Sequence, residues 1–452
     1  MNIKELVSAR KDEILSHLTT LVSYPSVLNT SEQPYPFGKA NADCLNNALE
    51  ICNSYGFTTK NLDNYCGYAE IGTGEKLIGV IGHLDVVPVA DGWDSDPFMA
   101  TTRNGKIFGR GTSDDKGPVV CSMIALKIVQ ELRPSMDKRI RLVMGSNEET
   151  GSACLKYYVE KEGHIDMGFT PDGAFPAIHG EKGMVRATFK CSSKYITNMS
   201  AGIATNVVPN TVSMNIAKGS FDKVLLEDYF NKNNISFTLN ETQDNYCLEV
   251  KGVSAHASTP DLGINAVSYA ICGLSAANMD DDFVKFYSGK IGLHTDGTGF
   301  NANFKDNYGA LTLNVGMIEQ SADVITGTID IRFPVTDNSS HVADTMIASM
   351  ANEVAVLEIK GKSEPLFFPE NSPLVSLLYD AYVEVTGDTV NKPETMGGGT
   401  YARGINNCIA FGAMFPGAED CHMHDANEFV TIDDLLKQTE IYVLALLKLL
   451  DA

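Results

Sequence analysis

The stretch GHLDVVPVADGW, residues 82–93, places a histidine and an aspartate two residues apart after an apolar run. The run, 76–81, is typical of a β-strand, and side chains two residues apart on a strand point to the same face. His83 and Asp85 would then project together. Such a pair could bind a metal ion, or it could be a hydrogen-bonded pair at a strand end. This stretch alone leaves both interpretations open.

Four further stretches place metal-type ligands at predicted strand ends or loops. Each has a structural explanation by itself, because acids in turns commonly cap helices or face solvent. Together, a His, Asp and Glu set without cysteine suits Zn²⁺, Mn²⁺ or Co²⁺ in a catalytic role better than a structural thiolate zinc site. The candidates in these stretches are Asp114, Asp115, Glu148, Glu149, Asp172, His422, His424 and Glu428.

The adjacent residues Glu148 and Glu149 could divide two tasks. Paired catalytic metals lie about 3.5–4 Å apart and need a carboxylate between them. In an extended segment neighbouring side chains point apart. One glutamate could therefore bind metal while the other faces a bound water, which predicts one ligand and one general base.

The composition indicates a globular chain with more than one domain. Its 452 residues, 44% hydrophobic and 20% charged, are too many for one ordinary core. A net charge of −22 without a basic stripe argues against nucleic-acid binding, and no apolar run approaches the ~20 residues of a membrane span. Ten dispersed cysteines without a C-x-x-C motif indicate reduced thiols in a cytoplasm. The N-terminal stretch 1–24 predicts one amphipathic helix and no targeting segment.

The order of predicted elements indicates an α/β domain interrupted by an insertion. Between residues 76 and 180, short apolar strands alternate with helices, which predicts a largely parallel sheet covered on both faces. Ligand sites in such sheets lie beyond the carboxyl ends of the strands. Residues 181–365 change to β-rich pieces with helices between them, and residues 366–452 return to helix, strand and helix. We therefore expect one discontinuous domain, 1–180 with 366–452, and an inserted α+β domain.

Six motifs of this chain resemble those of the dinuclear zinc metallopeptidases and occur in the same order. They are GHLDVVP, GRGTSDDKGP, NEETGS, PDG, GVSAHASTPDLGINA and H-x-x-N-E. That family includes aminoacylase, carnosinase, glutamate carboxypeptidase and succinyl-diaminopimelate desuccinylase. The resemblance extends over residues 76–430. The long insertion, NVVPN and GGGTYARG make the chain most similar to the bacterial PepV-type dipeptidases of this family.

The resemblance implies a mixed α/β catalytic domain, an α+β lid with two sub-lobes, and two bound divalent ions. The ions would be Zn²⁺, with Mn²⁺ or Co²⁺ as alternatives. His83 and Asp172 would bind one ion, Glu149 and His424 would bind the other, and Asp114 would bridge both.

Further roles also follow from the resemblance. Asp85 would orient the His83 ring from outside the ligand set, and Glu148 would act as general base and then general acid while a hydroxide between the ions attacks an amide carbonyl. The peptide bond after Asp114 would be cis, as in the family. His422 does not match the motif, so we expect it to be structural.

Other polar residues resemble the substrate-binding groups of the family. His256, Asn206 and Arg332 lie in the insertion, where the family's histidine steadies the oxyanion and the other two hold the substrate's carboxyl end. Without the resemblance they would be a turn histidine, a strand-end asparagine and a salt-bridged arginine. GGGTYARG lacks the G-K-[ST] ending of a phosphate loop, and the N–H groups of Gly399 and Thr400 could hold a carboxylate.

The resemblance therefore implies a cytoplasmic, monomeric dipeptidase that acts on small peptides with a free C-terminal carboxylate. An N-acyl-amino-acid deacylase or desuccinylase would use the same ligands and is the alternative enzyme. A metal-binding protein without catalysis is the remaining alternative, although it would need neither Glu148 nor Asp85.

Overall fold

The computed structural model describes residues 2–452. Within that range the chain forms eleven α-helices besides three short 3₁₀ helices. The α-helices are α1 (Ile3–Ser8), α2 (Lys11–Val22), α3 (Lys39–Ser54), α4 (Lys116–Leu132), α5 (Ala153–Glu162), α6 (Lys223–Lys232), α7 (Ala266–Ala276), α8 (Asp282–Lys290), α9 (Ser339–Ser349), α10 (Pro373–Thr386) and α11 (Ile432–Asp451).

The described residues also form twenty-two β-strands, several of them only two or three residues long. The strands are β1 (Thr58–Leu62), β2 (Cys66–Ile71), β3 (Leu77–His83), β4 (Thr101–Arg103), β5 (Lys106–Phe108), β6 (Arg139–Gly145), β7 (Met167–Thr170), β8 (Ile178–Glu181), β9 (Gly183–Ser192), β10 (Ile196–Ala201), β11 (Thr211–Ala217), β12 (Ser236–Glu241), β13 (Asn245–Lys251), β14 (Lys305–Asp306), β15 (Gly309–Ala310), β16 (Thr312–Ser321), β17 (Val324–Phe333), β18 (Val356–Ser363), β19 (Leu366–Phe367), β20 (Glu394–Met396), β21 (Cys408–Ala410) and β22 (Phe429–Thr431).

These elements form two compact units. The first unit comprises the described part of Met1–Gly180 together with Phe368–Glu394 and Gly399–Ala452. The second unit comprises Glu181–Phe367 and the short segment Thr395–Gly398. Each unit has its own cluster of buried hydrophobic residues.

The first unit is built on a mixed sheet whose strands follow the order β1-β2-β6-β3-β7-β21-β8. The four central strands, β6, β3, β7 and β21, are parallel to one another, while β1 with β2, β2 with β6 and β21 with β8 pair antiparallel. Every residue of β3 is buried, as expected for a central strand covered on both faces. Helix α4 is also almost entirely buried, and it packs against α11 and α2. The α/β prediction is confirmed.

The second unit is built on one antiparallel sheet of order β12-β13-β11-β10-β16-β17-β9-β18. Strand β9 alternates strictly between buried and more accessible residues, which is typical of an antiparallel sheet covered on one face. Helices α7, α8 and α9 cover the sheet through side chains such as Phe283 and Met346. The predicted α+β character is present, and the two sub-lobes stay a prediction.

One local prediction was wrong. The N-terminal stretch forms two helices, α1 and α2, because the backbone at Arg10 leaves the helical conformation, with φ −107° and ψ 10°. The Arg10 guanidinium instead donates to the Leu6 carbonyl and pairs with Glu131. No helix within residues 2–452 combines the length and the apolar character needed to cross a membrane.

Candidate metal centre

The predicted metal ligands lie on five segments of the first unit, at the end of a strand or in loops and turns. Strand β3 ends at His83 itself, Glu149 follows β6, and Asp172 follows β7. Because β6, β3 and β7 are adjacent and parallel, their carboxyl ends meet at one edge of the sheet. Asp114 precedes helix α4, and His424 precedes β22. The alternation of strand and helix thus brings together residues that are far apart in the chain.

Asp114 lies between the two histidines. Its Oδ1 is 2.9 Å from Nε2 of His83, and its Oδ2 is 2.9 Å from Nε2 of His424. The same nitrogen of His424 lies 3.3 Å from Oε2 of Glu149. An aspartate with one oxygen directed at each histidine has the arrangement of a ligand that bridges two ions.

Two overlapping groups of potential donors share His83. One contains His83, Asp114 and Glu149, and the other contains His83, Glu148 and Asp172, with the donor atoms of each group within 4.8 Å of one another. Oδ2 of Asp172 is 4.0 Å from Nε2 of His83. Glu148 and Glu149 therefore face different groups, which agrees with different tasks for the two carboxylates.

The backbone around these glutamates differs from the prediction. Glu148 and Glu149 lie in a turn, not in an extended segment. Their N–H groups donate to the two carboxylate oxygens of Asp85, at 3.0 and 3.1 Å. Asp85 thus holds the turn that orients both glutamates, and this satisfies two backbone donors that strand pairing leaves unused.

Asp85 also contacts His83, but chiefly through its main chain. Nδ1 of His83 is 3.0 Å from the Asp85 carbonyl oxygen and 3.5 Å from its Oδ1. A donor bond from Nδ1–H to the carbonyl directs Nε2 toward Asp114 and fixes the tautomer that a metal ligand needs. The predicted orienting role therefore has a geometric basis, with the carbonyl as the nearer partner.

The peptide bond between Asp114 and Asp115 is cis, as the resemblance implies, and a second non-proline cis bond joins Gly412 to Ala413. The buried Asp115 accepts the backbone N–H of His83 through Oδ2, at 3.0 Å. Glycine is required at position 82 for this approach, since a Cβ there would lie 2.7 Å from the same oxygen. Asp115 thus supports the backbone of His83 through this hydrogen bond.

The electrostatics of the site reflect an excess of negative charge. Burial opposes protonation of His83, but its hydrogen bonds to Asp114 and Asp85 outweigh burial and raise its pKa well above the ordinary value. Hydrogen bonds to Asp114 and Glu149 raise the pKa of His424 to about 10. Burial, reinforced by the charge of Asp172, raises the pKa of Glu148 well above its ordinary value. His83, His424 and Glu148 therefore tend to keep their protons, because these reduce the repulsion between neighbouring carboxylates. Bound cations would reduce the same repulsion.

The residues fit a pair of divalent ions. Two ligand atoms bound at about 2.0–2.2 Å to one tetrahedral ion lie about 3.3–3.6 Å apart. The nitrogen–oxygen distances around Asp114 and Glu149, 2.9–3.3 Å, would have to widen by only a few tenths of an ångström to reach that separation. Three ligand carboxylates, of Asp114, Glu149 and Asp172, give −3 against +4 from two ions. Imidazole and carboxylate donors without thiolate suit Zn²⁺, Mn²⁺ or Co²⁺.

Glu428, a candidate ligand by residue type, has another role. It is buried, pairs with Arg110 at 2.7 Å and accepts backbone N–H groups of the segment that carries Asp114. The residues around Glu428 do not indicate this role, because its partner Arg110 lies more than three hundred residues away and only the fold joins the two. His422 is exposed and its N–H donates to Asp420, which agrees with a structural role.

The predicted lid residues lie in the second unit, on neighbouring segments. Asn206 and His256 are exposed, and His256 forms an isolated antiparallel β-bridge with Val207, the residue after Asn206. Arg332 is buried on β17, where its guanidinium binds both oxygens of Asp330, at 2.6 and 3.1 Å, and donates to the carbonyl of Gly397 at 3.0 Å. These contacts account for three of its five N–H groups.

Gly399 and Thr400 belong to the first unit and precede a one-turn 3₁₀ helix, Tyr401–Gly404. The Thr400 hydroxyl accepts the N–H of Ala402 at 3.2 Å, so its side chain caps that turn. The buried Tyr401 places its ring edge against His83, with the ring centroids 6.1 Å apart. This contact was not predicted, and it adds a further support for the histidine.

The fold and the site define a metal-dependent hydrolase with paired carboxylates around a buried histidine. The chain belongs to the peptidase family M20/M25/M40, whose family model matches residues 79–448. It is 34% identical to the Bacillus subtilis protein YtjP, which carries a provisional dipeptidase name, over 99% of this chain and 100% of that one. It is 32% identical to a Beta-Ala-Xaa dipeptidase from Lactobacillus delbrueckii subsp. lactis, over 99% and 98%. Human carnosine dipeptidase 1 has the same fold, with a TM-score of 0.58 at 18% identity over 100% of this chain and 98% of that one.

Removal of divalent ions should abolish peptide hydrolysis and lower the melting temperature of the protein. The reason is that the carboxylates around His83 and Asp114 then repel one another without compensation. Re-addition of Zn²⁺ or Mn²⁺ should restore both properties, and elemental analysis should give two ions per chain. Full activity in protein shown to contain no metal would contradict the metal centre.

The two adjacent glutamates should give different phenotypes when each is changed to glutamine. Glu148→Gln should retain both ions and lower kcat by about 10²–10⁴-fold, the usual contribution of a positioned acid–base group. Glu149→Gln should lose metal, because its carboxylate faces His424. Metal content and kcat should be measured for both variants under the same conditions, so that each variant serves as the control for the other. Equal metal loss in both variants would assign Glu148 as a ligand.

Proposed function

We propose that this protein is a dipeptidase that uses two divalent ions, Zn²⁺ foremost, to hydrolyse dipeptides with a free C-terminal carboxylate. The observation that carries the proposal is Asp114, which directs one carboxylate oxygen at His83 and the other at His424. The dipeptidase names of full-length relatives support the substrate class. When bound, ions of this kind polarise a carbonyl oxygen and lower the pKa of water.

In this proposal the ions are bound by five residues: His83, Asp172, Asp114, Glu149 and His424. Asp85 positions both the His83 ring and the turn that carries Glu148 and Glu149. The side chain of Glu148 faces the His83 and Asp172 group. Its carboxylate takes a proton from the attacking water and then delivers it to the leaving amine. This transfer requires one carboxylate that is not engaged as a ligand.

The second unit supplies the substrate-binding groups in this proposal. The N–H of Ser258 donates to Nδ1 of His256 at 3.2 Å, so the neutral ring carries its proton on Nε2. A donor at Nε2 is suited to stabilise the negative charge that develops on the carbonyl oxygen. Asn206 and the two remaining N–H groups of Arg332 hold the substrate's carboxylate. In the first unit, the backbone N–H groups of Gly399 and Thr400 are separate candidates for binding a carboxylate.

The remaining parts of the proposal concern the state of the protein. We propose a catalytic role for the first unit, a lid role for the second, and a monomer in which His256 completes the site of its own chain. The lid closes over the substrate and excludes water. A reducing cytoplasm is supported by ten cysteines that form no disulfide within residues 2–452.

Amidation of the substrate's C-terminus should lower kcat/KM by about 10–150-fold. A charge-assisted hydrogen bond contributes about 1.5–3 kcal/mol, and the amide loses it. Arg332→Ala should lower kcat/KM for the free dipeptide similarly and remove the discrimination against the amide. Arg186→Ala is the matched control, because Arg186 is an exposed cation 4.0 Å from the same Asp330 and should leave turnover unchanged.

Equal turnover of free and amidated dipeptides would contradict recognition of the carboxylate. The same assay should include tripeptides and N-acetyl and N-succinyl amino acids. Preferential turnover of the acylated compounds would favour the deacylase or desuccinylase alternative, which has the same metal ligands.

The monomer is tested by mixing two inactive variants, His256→Ala and Glu148→Ala, under conditions that allow subunit exchange. A monomer should recover no activity, because neither chain has both groups. Recovered activity, or a dimer by light scattering, would show that a second chain completes the site and would leave the metal chemistry unchanged.

A further inference from the structure

Two metal-ligand segments of the first unit are joined by one buried carboxylate. Strand β22 pairs with β5, with Phe429 opposite Phe108. The segment before β22 carries His424, and the segment after β5 carries Asp114. These two ligands are 310 residues apart in the chain, so their spacing depends on how the two segments are held together.

Glu428 forms four hydrogen bonds across this junction. Its Oε2 accepts from Arg110 at 2.7 Å and from the N–H of Gly111 at 2.9 Å. Its Oε1 accepts from the N–H of Ser113 at 2.9 Å and of Asp114 at 3.2 Å. A carboxylate has about four lone-pair positions, and all four are used. Glu428 is therefore fully occupied as an acceptor and unsuited to bind a metal ion itself.

Further contacts tie the same two segments together. The Arg110 guanidinium donates to the carbonyl of Asp425, the residue after His424, at 3.2 Å. The N–H of Gly109 donates to the Glu428 carbonyl at 3.0 Å, and the Ser113 hydroxyl donates to the carbonyl of Phe429 at 2.6 Å. Arg110 and Glu428 are each only 1% exposed, so their ion pair is shielded from solvent. Water cannot readily replace a lost partner there.

We propose that Glu428 is a positioning residue of the metal centre, which holds the Asp114 segment at the distance from His424 that two ions require. The inference rests on the two-metal site proposed above. Its specific claim is that the hydrogen bonds of Glu428 to the backbone of the Asp114 segment determine metal affinity. A purely structural role would require only the ion pair with Arg110.

Glu428→Gln is the first test. The glutamine has the same shape, but its amide nitrogen is a donor facing other donors, so part of the backbone contacts is lost. We expect metal affinity, measured by competition with a chromogenic chelator, to fall about 10–100-fold, as for other residues that orient ligands. The melting temperature of metal-loaded protein should fall more than that of chelated protein, because weaker binding stabilises less.

Glu70→Gln is the matched control. Glu70 also pairs with a buried arginine of the first unit, Arg141, at 2.7 Å, but it contacts no predicted ligand. This variant should lower the melting temperatures of loaded and chelated protein equally and leave metal affinity unchanged.

If Glu428→Gln does not fold, the double variant Arg110→Met/Glu428→Leu tests whether the hydrogen bonds of Glu428 determine metal affinity. Replacing both partners by apolar side chains leaves no unpaired buried charge, but the N–H groups of Gly111, Ser113 and Asp114 lose their acceptor. We expect metal affinity to stay about 10–100-fold below wild type. Wild-type affinity in either variant would overturn the proposal, and wild-type protein unable to bind two ions would instead contradict the metal centre itself.

Discussion

Carboxylates crowd around one buried imidazole in the first unit, and the other features of the site follow from the repulsion between them. Asp114, Glu148, Glu149 and Asp172 all lie close to His83 or to each other. Without cations the site retains protons, as the raised pKa values of Glu148 and His424 indicate. Two divalent ions would replace these protons and would leave Glu148 free to carry a proton during hydrolysis. The same negative charge that makes the site costly to fold therefore makes it selective for cations.

The loops that carry the predicted metal ligands are held in place mainly by hydrogen bonds from their backbone N–H groups to buried carboxylates. Asp85 holds the glutamate turn through two N–H groups, Asp115 holds the backbone of His83, and Glu428 holds the segment before Asp114. Each support is a buried carboxylate that accepts N–H donors, and each lies outside the predicted ligand set. Burying a carboxylate is costly unless it accepts hydrogen bonds, so losing one of these contacts would be costly and the loops are held close to their positions.

The sequence predicted the parts of the molecule that are encoded locally. The alternation of strand and helix gave the mixed sheet, and the motifs gave the residues that meet around Asp114. Interactions between distant segments could not be predicted. Nothing in the residues near Glu428 indicates that its partner is Arg110, and nothing near Thr395–Gly398 indicates that this segment belongs to the second unit. Local turn geometry was also missed, since extended and turn conformations both separate the side chains of Glu148 and Glu149.

The arrangement of the metal centre is tested most directly by anomalous X-ray diffraction from crystals grown with Zn²⁺. We expect two anomalous peaks about 3.5–4 Å apart, one beside His83 and Asp172 and the other beside Glu149 and His424, with a carboxylate oxygen of Asp114 directed at each. Glu428 should lie outside the coordination distance of both ions. A single peak, or a peak coordinated by Glu148 or Glu428, would contradict this arrangement of the metal centre.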